Sequence, residues 1–371
     1  PADSNRILTY YSIQAGDIDG GILQVQNNFL NGIGMNVVAP AANSGEHIIS
    51  NNRFVIVSFP QFFPTQFELK DVQKAGTGVR VSNNTFTGFS ITGIFVQRAK
   101  NVRIENNTFI PVDTATNFRS VVVNTKQETI ATNQPPVLSG AVIKGNTFLA
   151  ATADGAGTAI EFGNHNDDPT SSTAFTGVEI GGAGSEANFF SQRIGKVLVL
   201  DPLSGPSNTQ LYWSTLPSTN MEPVADNFDM KENIYSLPSG PKRPAEMTTD
   251  ELYVLEDKIQ HGIDVATLGF VTVKDNQAFV TNNSKLAPFT TEPSLQRAHD
   301  KVNDGGSVFT SAISIPEVTS VSKSLSVEAN PNGRIELNGL KMLGANKELT
   351  LTDSLLISDS LDLNAGIVNL G

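Results

Sequence analysis

The sequence predicts an all-β chain wound as a parallel β-helix, a solenoid of short strands. Three observations lead there. A short phrase, an aliphatic residue followed by a polar stretch and then Asn-x-Phe, recurs through the first half of the chain. Its Phe-to-Phe spacings of 25, 32, 23, 39 and 42 residues suit a unit of about 23 that carries insertions in some copies. The composition is poor in charge, 17 % against the usual quarter or so, and contains 31 Gly and 19 Pro, as many short strands joined by turns require.

The copies are Val25…Asn27-x-Phe29, Ile49…Asn52-x-Phe54, Val81…Asn84-x-Phe86, Ile104…Asn107-x-Phe109 and Ile143…Asn146-x-Phe148, with a looser one at Ile180…Asn188-x-Phe190. One unit reads from Val79 to Phe109. "GVRVSNNTF" alternates apolar and polar residues and turns at Asn83-Asn84. "TGFSITGIFVQ" forms a second strand, and "RAKNVRIENNTF" opens the next unit. Strands this dense leave no room for hairpins. They suit coils in which each strand pairs with its equivalent one turn on, which removes every edge except those at the ends.

The repeated residues then have physical work. Asn tolerates left-handed backbone angles at a corner, and its amide bonds backbone groups there. Stacked amides form a ladder, and the Phe two positions on points inward and stacks. The structural ladder is therefore expected at Asn27, Asn52, Asn84, Asn107, Asn146 and Asn188, with Phe29, Phe54, Phe86, Phe109, Phe148 and Phe190 beside it. Glycosylation sequons at Asn83, Asn106 and Asn282 are the other use of such Asn runs. Repetition at equivalent positions favours the ladder.

Long insertions follow the second and fourth copies, and "GNHNDDPTSSTAFTG" precedes the sixth. Around residue 201 the texture turns rich in Pro, Ser and Asn and carries the single Trp, Trp213. "TTDELYVLEDKIQHGID" reads as a helix, with Thr248 and Glu251 as a capping box and Leu252, Leu255, Ile259 and Ile263 as its apolar stripe. A hairpin is expected next, Phe270–Val273 against Ala278–Thr281, and then a helix begun near Pro293 and ended at Gly305. Short strands resume at Ser307. The predicted organisation is a parallel β-helix over 1–200, a closing segment and linker over 201–245, a helix-hairpin-helix module over 246–305, and the start of a second, truncated β-helix over 306–371.

"SLQRAHDKVNDGGSVFTSA…SLSVEA" resembles the opening of a pectate-lyase-type β-helix, which implies a right-handed coil. Gly306 stands where that pattern has an acidic residue, and His299 where an aliphatic one is common. "ELYVLEDKIQHGIDVATLGFVTVKDNQAFVTNN" is similar to a linker module between β-helices in large exported bacterial proteins. The closing Leu-Thr-Leu and Leu-Asp-Leu run resembles cell-surface, adhesin-like proteins of Bacteroidota that leave by type 9 secretion. The resemblance implies a secreted or cell-surface bacterial protein, with the outer-membrane secretion machinery as a partner.

A net charge of −12 and a pI near 4.8 repel nucleic acid and anionic membrane surfaces. No apolar run approaches the roughly 18 residues of a membrane span, so no direct membrane insertion is expected. With no Cys, thiolate metal sites and cysteine nucleophiles are excluded. Should the chain be an enzyme, the candidate set is Glu161, His165, Asp167 and Asp168 in "EFGNHNDD", with Asp154 just upstream. The plainer reading of that stretch is a polar insertion closed by Pro169. Asp226 and Asp229 form a second acidic stretch. Arg80, Arg98, Arg103 and Arg119 could line one face toward an anionic glycan, or be solvated strand positions. His47, His261 and His299 show no metal-ligand spacing. No cofactor is called for, and calcium is the one ion the acidity would admit. The expected role is a non-catalytic stalk or adhesin whose loops contact polysaccharide or other surface proteins. The alternative is a calcium-dependent polysaccharide lyase or epimerase acting on acidic polysaccharide.

Overall fold

In the computed structural model, residues 2–3, 6–8, 13–15, 22–31, 35–38, 46–55, 65–70, 78–97, 101–124, 138–150, 155–163, 175–202, 223–311, 314–329, 335–343, 346–352, 355–363 and 366–370 are described. The chain is mostly β, and every strand pairing named below is parallel. It divides into two units, one of Pro1–Asp226 with Glu232–Pro241 and one of Asn227–Lys231 with Lys242–Gly371.

The first unit holds three sheets whose strands are taken from the chain in rotation. The first sheet orders Ala2–Asp3, Gln24–Gln26, His47–Ser50, Val79–Ser82, Val102–Glu105, Val142–Lys144 and Glu179–Ile180. The second takes Arg6–Leu8, Phe29–Asn31, Arg53–Val55, Thr85–Phe89, Thr108–Pro111, Thr147–Phe148, Phe189–Phe190 and Ile234–Leu237. The third takes Ile13–Ala15, Met35–Val38, Thr65–Lys70, Thr92–Gln97, Arg119–Asn124, Ala156–Gly163 and Ile194–Leu200. Each strand pairs with its equivalent one turn away, a pattern compatible with a β-helix or another solenoid-like fold.

Register converts the sequence repeat into columns. Val25, Ile49, Val81, Ile104, Ile143 and Ile180 stand in one buried aliphatic column of the first sheet. Leu69, Val96, Val123, Phe162 and Leu200 form another in the third. In the second sheet the rings of Phe54, Phe86, Phe109, Phe148, Phe190 and Tyr235 lie nearly parallel, with centroids 4.7, 5.1, 5.1, 5.0 and 5.4 Å apart. Burying a ring of this size is worth about 2–3 kcal/mol and each stacked pair about 1 more.

Beside the rings runs a continuous amide ladder through Asn28, Asn52, Asn84, Asn107, Asn146, Asn188 and Asn233. Each Oδ1 from Asn52 onward accepts the backbone N–H and the Nδ2–H of the Asn one turn before. For Asn107 those donors are Asn84 N at 2.9 Å and Asn84 Nδ2 at 3.0 Å. Its own Nδ2 donates to the Val81 carbonyl at 2.8 Å and to Asn146 Oδ1 at 3.1 Å. Donors and acceptors thus match, which is what lets amides sit fully buried.

The first rung corrects the sequence reading. Leu30, not Phe29, pairs with Phe54, and Asn28, not Asn27, donates to Asn52. Asn27 instead takes the left-handed corner with φ 59°. Asn51, Asn83 and Asn106 do the same at 56°, 55° and 55°, and Gly145 at 64°. The two tasks assigned to one Asn are therefore split between neighbours: the first residue of each Asn-Asn pair turns the chain, and the second carries the ladder.

The second unit opens on a helix, α1, Thr249–Glu256, whose Thr248–Glu251 capping box is formed. The helix stops before Ile259, which lies in a short strand, so the apolar stripe is buried but only partly helical. The expected hairpin is absent. Val271–Thr272 pairs with Phe228–Asp229, while Gln277–Val280 pairs with Gly306–Thr310 and begins a second parallel stack. Asn276, with φ 52°, sets the corner that redirects the chain, and its Oδ1 accepts the Asn303 N–H at 2.7 Å. The stack therefore begins at 277 rather than 306. One of its sheets runs Gln277–Val280, Gly306–Thr310, Leu325–Ala329, Glu348–Leu351 and Ile367–Leu370, and the other Ser314–Val321, Ile335–Met342 and Leu355–Asp362. A second helix, α2, Leu295–Lys301, packs Leu295 and Ala298 into the same core as Val308, Val327 and Leu337.

Candidate functional site

Of the proposed catalytic set, Glu161 alone falls among the described residues; His165, Asp167 and Asp168 lie outside them, as do Asp154, Arg98 and Trp213. Glu161 sits in a third-sheet strand and is nearly buried. Its Oε2 accepts from Arg119 Nε in an ion pair. Asp226 is half-buried, and its Oδ2 accepts the Phe175 N–H at 3.1 Å. Burial is the largest influence on this carboxyl and lifts its pKa above the usual carboxylate range. Asp229 pairs with Lys231 at 3.1 Å and belongs to the other unit. Among the described residues no three His, Asp or Glu side chains converge as a metal would need.

The remaining arginines are surface partners of carboxylates: Arg80 with Glu46 and Arg103 with Glu105, each at 2.6 Å. Exposed pairs of this kind contribute little, about 0–1 kcal/mol. The three described histidines are buried, and each accepts a backbone N–H through one ring nitrogen: His47 from Leu23, His261 from Val271 and His299 from Ser322. For His261 this acceptor role at Nδ1 puts the proton on Nε2, which faces Glu256 Oε1 at 2.7 Å. These rings fasten loops and strands.

One feature of the first unit has the form of a binding site. A cleft of about 590 Å³ opens where the chain enters four consecutive third-sheet strands. Ser90, Thr116, Asn117, Arg119, Thr158 and Lys196 line it, over a floor that includes Gly155 and Gly195. Register explains the grouping, because Arg119, Thr158 and Lys196 are direct neighbours across the sheet. Glu161 stands three positions further along the same strand as Thr158, in a column with Phe95, Val122 and Val199. Sequence reasoning named Arg119 and Glu161 separately and missed that they meet. They are 42 residues apart, and only the insertion-adjusted register brings them together. Thr158, Lys196 and Asn117 carried no sequence signal at all.

Comparison with protein-family models, curated proteins and solved structures finds no match for this chain.

Proposed function

We propose that this chain is a right-handed β-helical segment of a large secreted or cell-surface bacterial protein, a stiff non-catalytic stalk that contacts glycan or partner proteins through its turns. The observation that supports this most is where the polar side chains go. The repeated Asn amides are consumed by the internal ladder, and the described candidate carboxylates are held by a cation or a backbone N–H. Chemistry on sugars asks for the opposite, a set of free carboxylates or bases converging on one face. Parallel in-register stacks extend in one dimension, each turn supported only by its neighbours, which suits a spacer.

The alternative, a calcium-dependent lyase or epimerase on acidic polysaccharide, draws support from the cleft at Arg119, which places a cation and a carboxylate together. A depolymerase screen separates the two. The protein is incubated with pectate, alginate and related polyuronates, with and without calcium, and followed by absorbance at about 235 nm and by reducing ends. The stalk reading expects no product. Unsaturated ends that disappear in Glu161→Gln would replace it with the lyase.

A further inference from the structure

We infer that the cleft beside Arg119 binds one uncharged sugar unit of a glycan, through a pair of adjacent ring hydroxyls. This rests on the reading that the chain contacts glycan, and it assigns that contact to particular residues and to a neutral ligand.

The starting point is the position of Glu161. It shares its column with Phe95 and Val122, which are apolar and almost fully buried, at 1 % and 2 % exposure. An aliphatic residue would pack there without the cost of desolvating a carboxylate. What the carboxylate accomplishes is local: it takes the Nε of Arg119 and fixes the side chain. The guanidinium makes no other hydrogen bond among the described residues, so its two terminal amino groups stay open to a ligand. Arg119 lines the cleft with its side chain 22 % exposed, while Glu161 lies behind it at 7 %. A guanidinium anchored through Nε presents its other two nitrogens as a planar fork of donors.

Charge decides the class of ligand. The pair is neutral as a whole, and Lys196 is itself engaged, so it adds no spare positive charge. The chain as a whole carries −12. A carboxylate or phosphate on the fork would stand close to the Glu161 carboxylate, whose repulsion offsets the attraction of Arg119. A hydroxyl oxygen accepts the same N–H groups without that repulsion. Two hydroxyls on neighbouring ring carbons set two acceptors side by side, the arrangement that the fork matches.

The rest of the lining fits a sugar. A ring hydroxyl both donates and accepts, and so do the hydroxyls of Ser90, Thr116 and Thr158 and the amide of Asn117. A sugar also has apolar C–H faces, and the half-buried Ile91 offers an apolar surface to one. Beside it the wall is bare backbone. Gly155 has φ 77° and nothing within 4 Å of where a Cβ would stand, and a Cβ on Gly195 would strike the Gly155 carbonyl oxygen at 2.3 Å. The volume of about 590 Å³ falls within the ~300–1,000 Å³ typical of small-ligand sites.

The test is titration calorimetry with four neutral disaccharides, cellobiose, maltose, lactose and mannobiose, and with the uronic-acid counterpart of whichever binds. A neutral disaccharide is expected to bind with an affinity that salt does not change, and its uronate roughly tenfold more weakly. Arg119→Lys keeps the charge and loses the fork, and should abolish binding. Thr158→Val and Asn117→Ala leave the Arg119–Glu161 pair intact, should each weaken binding several-fold, and serve if Arg119→Lys disturbs folding. Glu161→Gln separates positioning from packing. It should weaken the neutral sugar, because Arg119 is no longer held, and strengthen the uronate, because the opposing charge is gone. A uronate that binds as well as or better than the neutral sugar, an affinity that falls with salt, or binding that survives Arg119→Lys, Thr158→Val and Asn117→Ala would each overturn the assignment. So would silence from all four disaccharides. A glycan array run in parallel keeps the underlying reading separate. Array binding unaffected by these substitutions removes the site but keeps the glycan contact. Silence across array and calorimeter removes both.

Discussion

Replacing Asn107 by Ala is the sharpest perturbation of the ladder. The side chain accepts two hydrogen bonds from Asn84 and donates two, to Val81 and Asn146. Its removal leaves two buried donors without their partner, the Asn84 N–H and one Asn84 Nδ2–H, and takes one donor from the Val81 carbonyl, which stays within the paired first sheet. The Asn146 Oδ1 keeps the Asn107 backbone N–H at 2.9 Å. At about 1–3 kcal/mol for each orphaned group, and with water entering the vacated space to offset part of it, the loss is expected near 2–4 kcal/mol. The neighbouring Asn106 makes the control. It sits in the left-handed region at φ 55° and carries no rung. Asn106→Gly should therefore be nearly neutral, while Asn106→Ala should cost about 1 kcal/mol from backbone strain alone. Urea unfolding followed by circular dichroism measures all three. Should Asn107→Ala unfold within about 0.5 kcal/mol of Asn106→Gly, the ladder would carry no stability and the reasoning would fail.

Further outcomes follow from single contacts. Phe109 is sandwiched between Phe86 and Phe148 at 5.1 Å on both sides, so Phe109→Ala should cost about 3–5 kcal/mol in the same assay. Glu317 accepts Ser294 Oγ at 2.7 Å and the Gln296 N–H at 2.8 Å at the start of α2, and Glu317→Ala should destabilise the second unit by about 1–2 kcal/mol, read by thermal melting. Asp226 gives a pH signature. Burial raises its folded pKa, so ionisation opposes folding: the cost is absent below the unfolded pKa of about 3.9 and present in full above the raised value. Asp226→Asn keeps an acceptor for Phe175. It should stabilise the chain at neutral pH and give no advantage in acid, a difference visible in melting curves across pH.

Much of the fold was legible because the ladder and ring stack need the same two side chains at the same offset in every turn. A buried amide and a buried ring cannot be exchanged for surface residues, so the phrase survives insertions of any length between copies. The first rung was misread because "QNNFLN" contains two overlapping fits, Asn27-x-Phe29 and Asn28-x-Leu30, and only pairing to Asn52 and Phe54 chooses between them. The seventh rung, Asn233 with Tyr235, lay in a stretch whose Pro and Ser content reads as linker, and Tyr hid the aromatic position. The hairpin was predicted from proximity in sequence. The alternative, pairing Phe279 to Phe309 with rings 5.3 Å apart, joins residues too distant for local turn signals to reveal. The cleft was the least legible of all, since the contact of Arg119 with Glu161 depends on where each insertion lets the chain re-enter the third sheet.

The account stands on the in-register parallel stack, and one distance tests it most directly. The chain has no Cys, so cysteines placed at Arg53 and Thr147 would carry the only spin labels. These positions are three pairing steps apart in one column, through Thr85 and Thr108. At ~4.8 Å per step their backbones lie about 14 Å apart despite the 93 residues between them. Electron paramagnetic resonance should report a narrow spin–spin distance between about 14 and 20 Å once the label tethers are included. A distribution centred beyond about 30 Å would contradict the stack, and with it the stalk and the cleft.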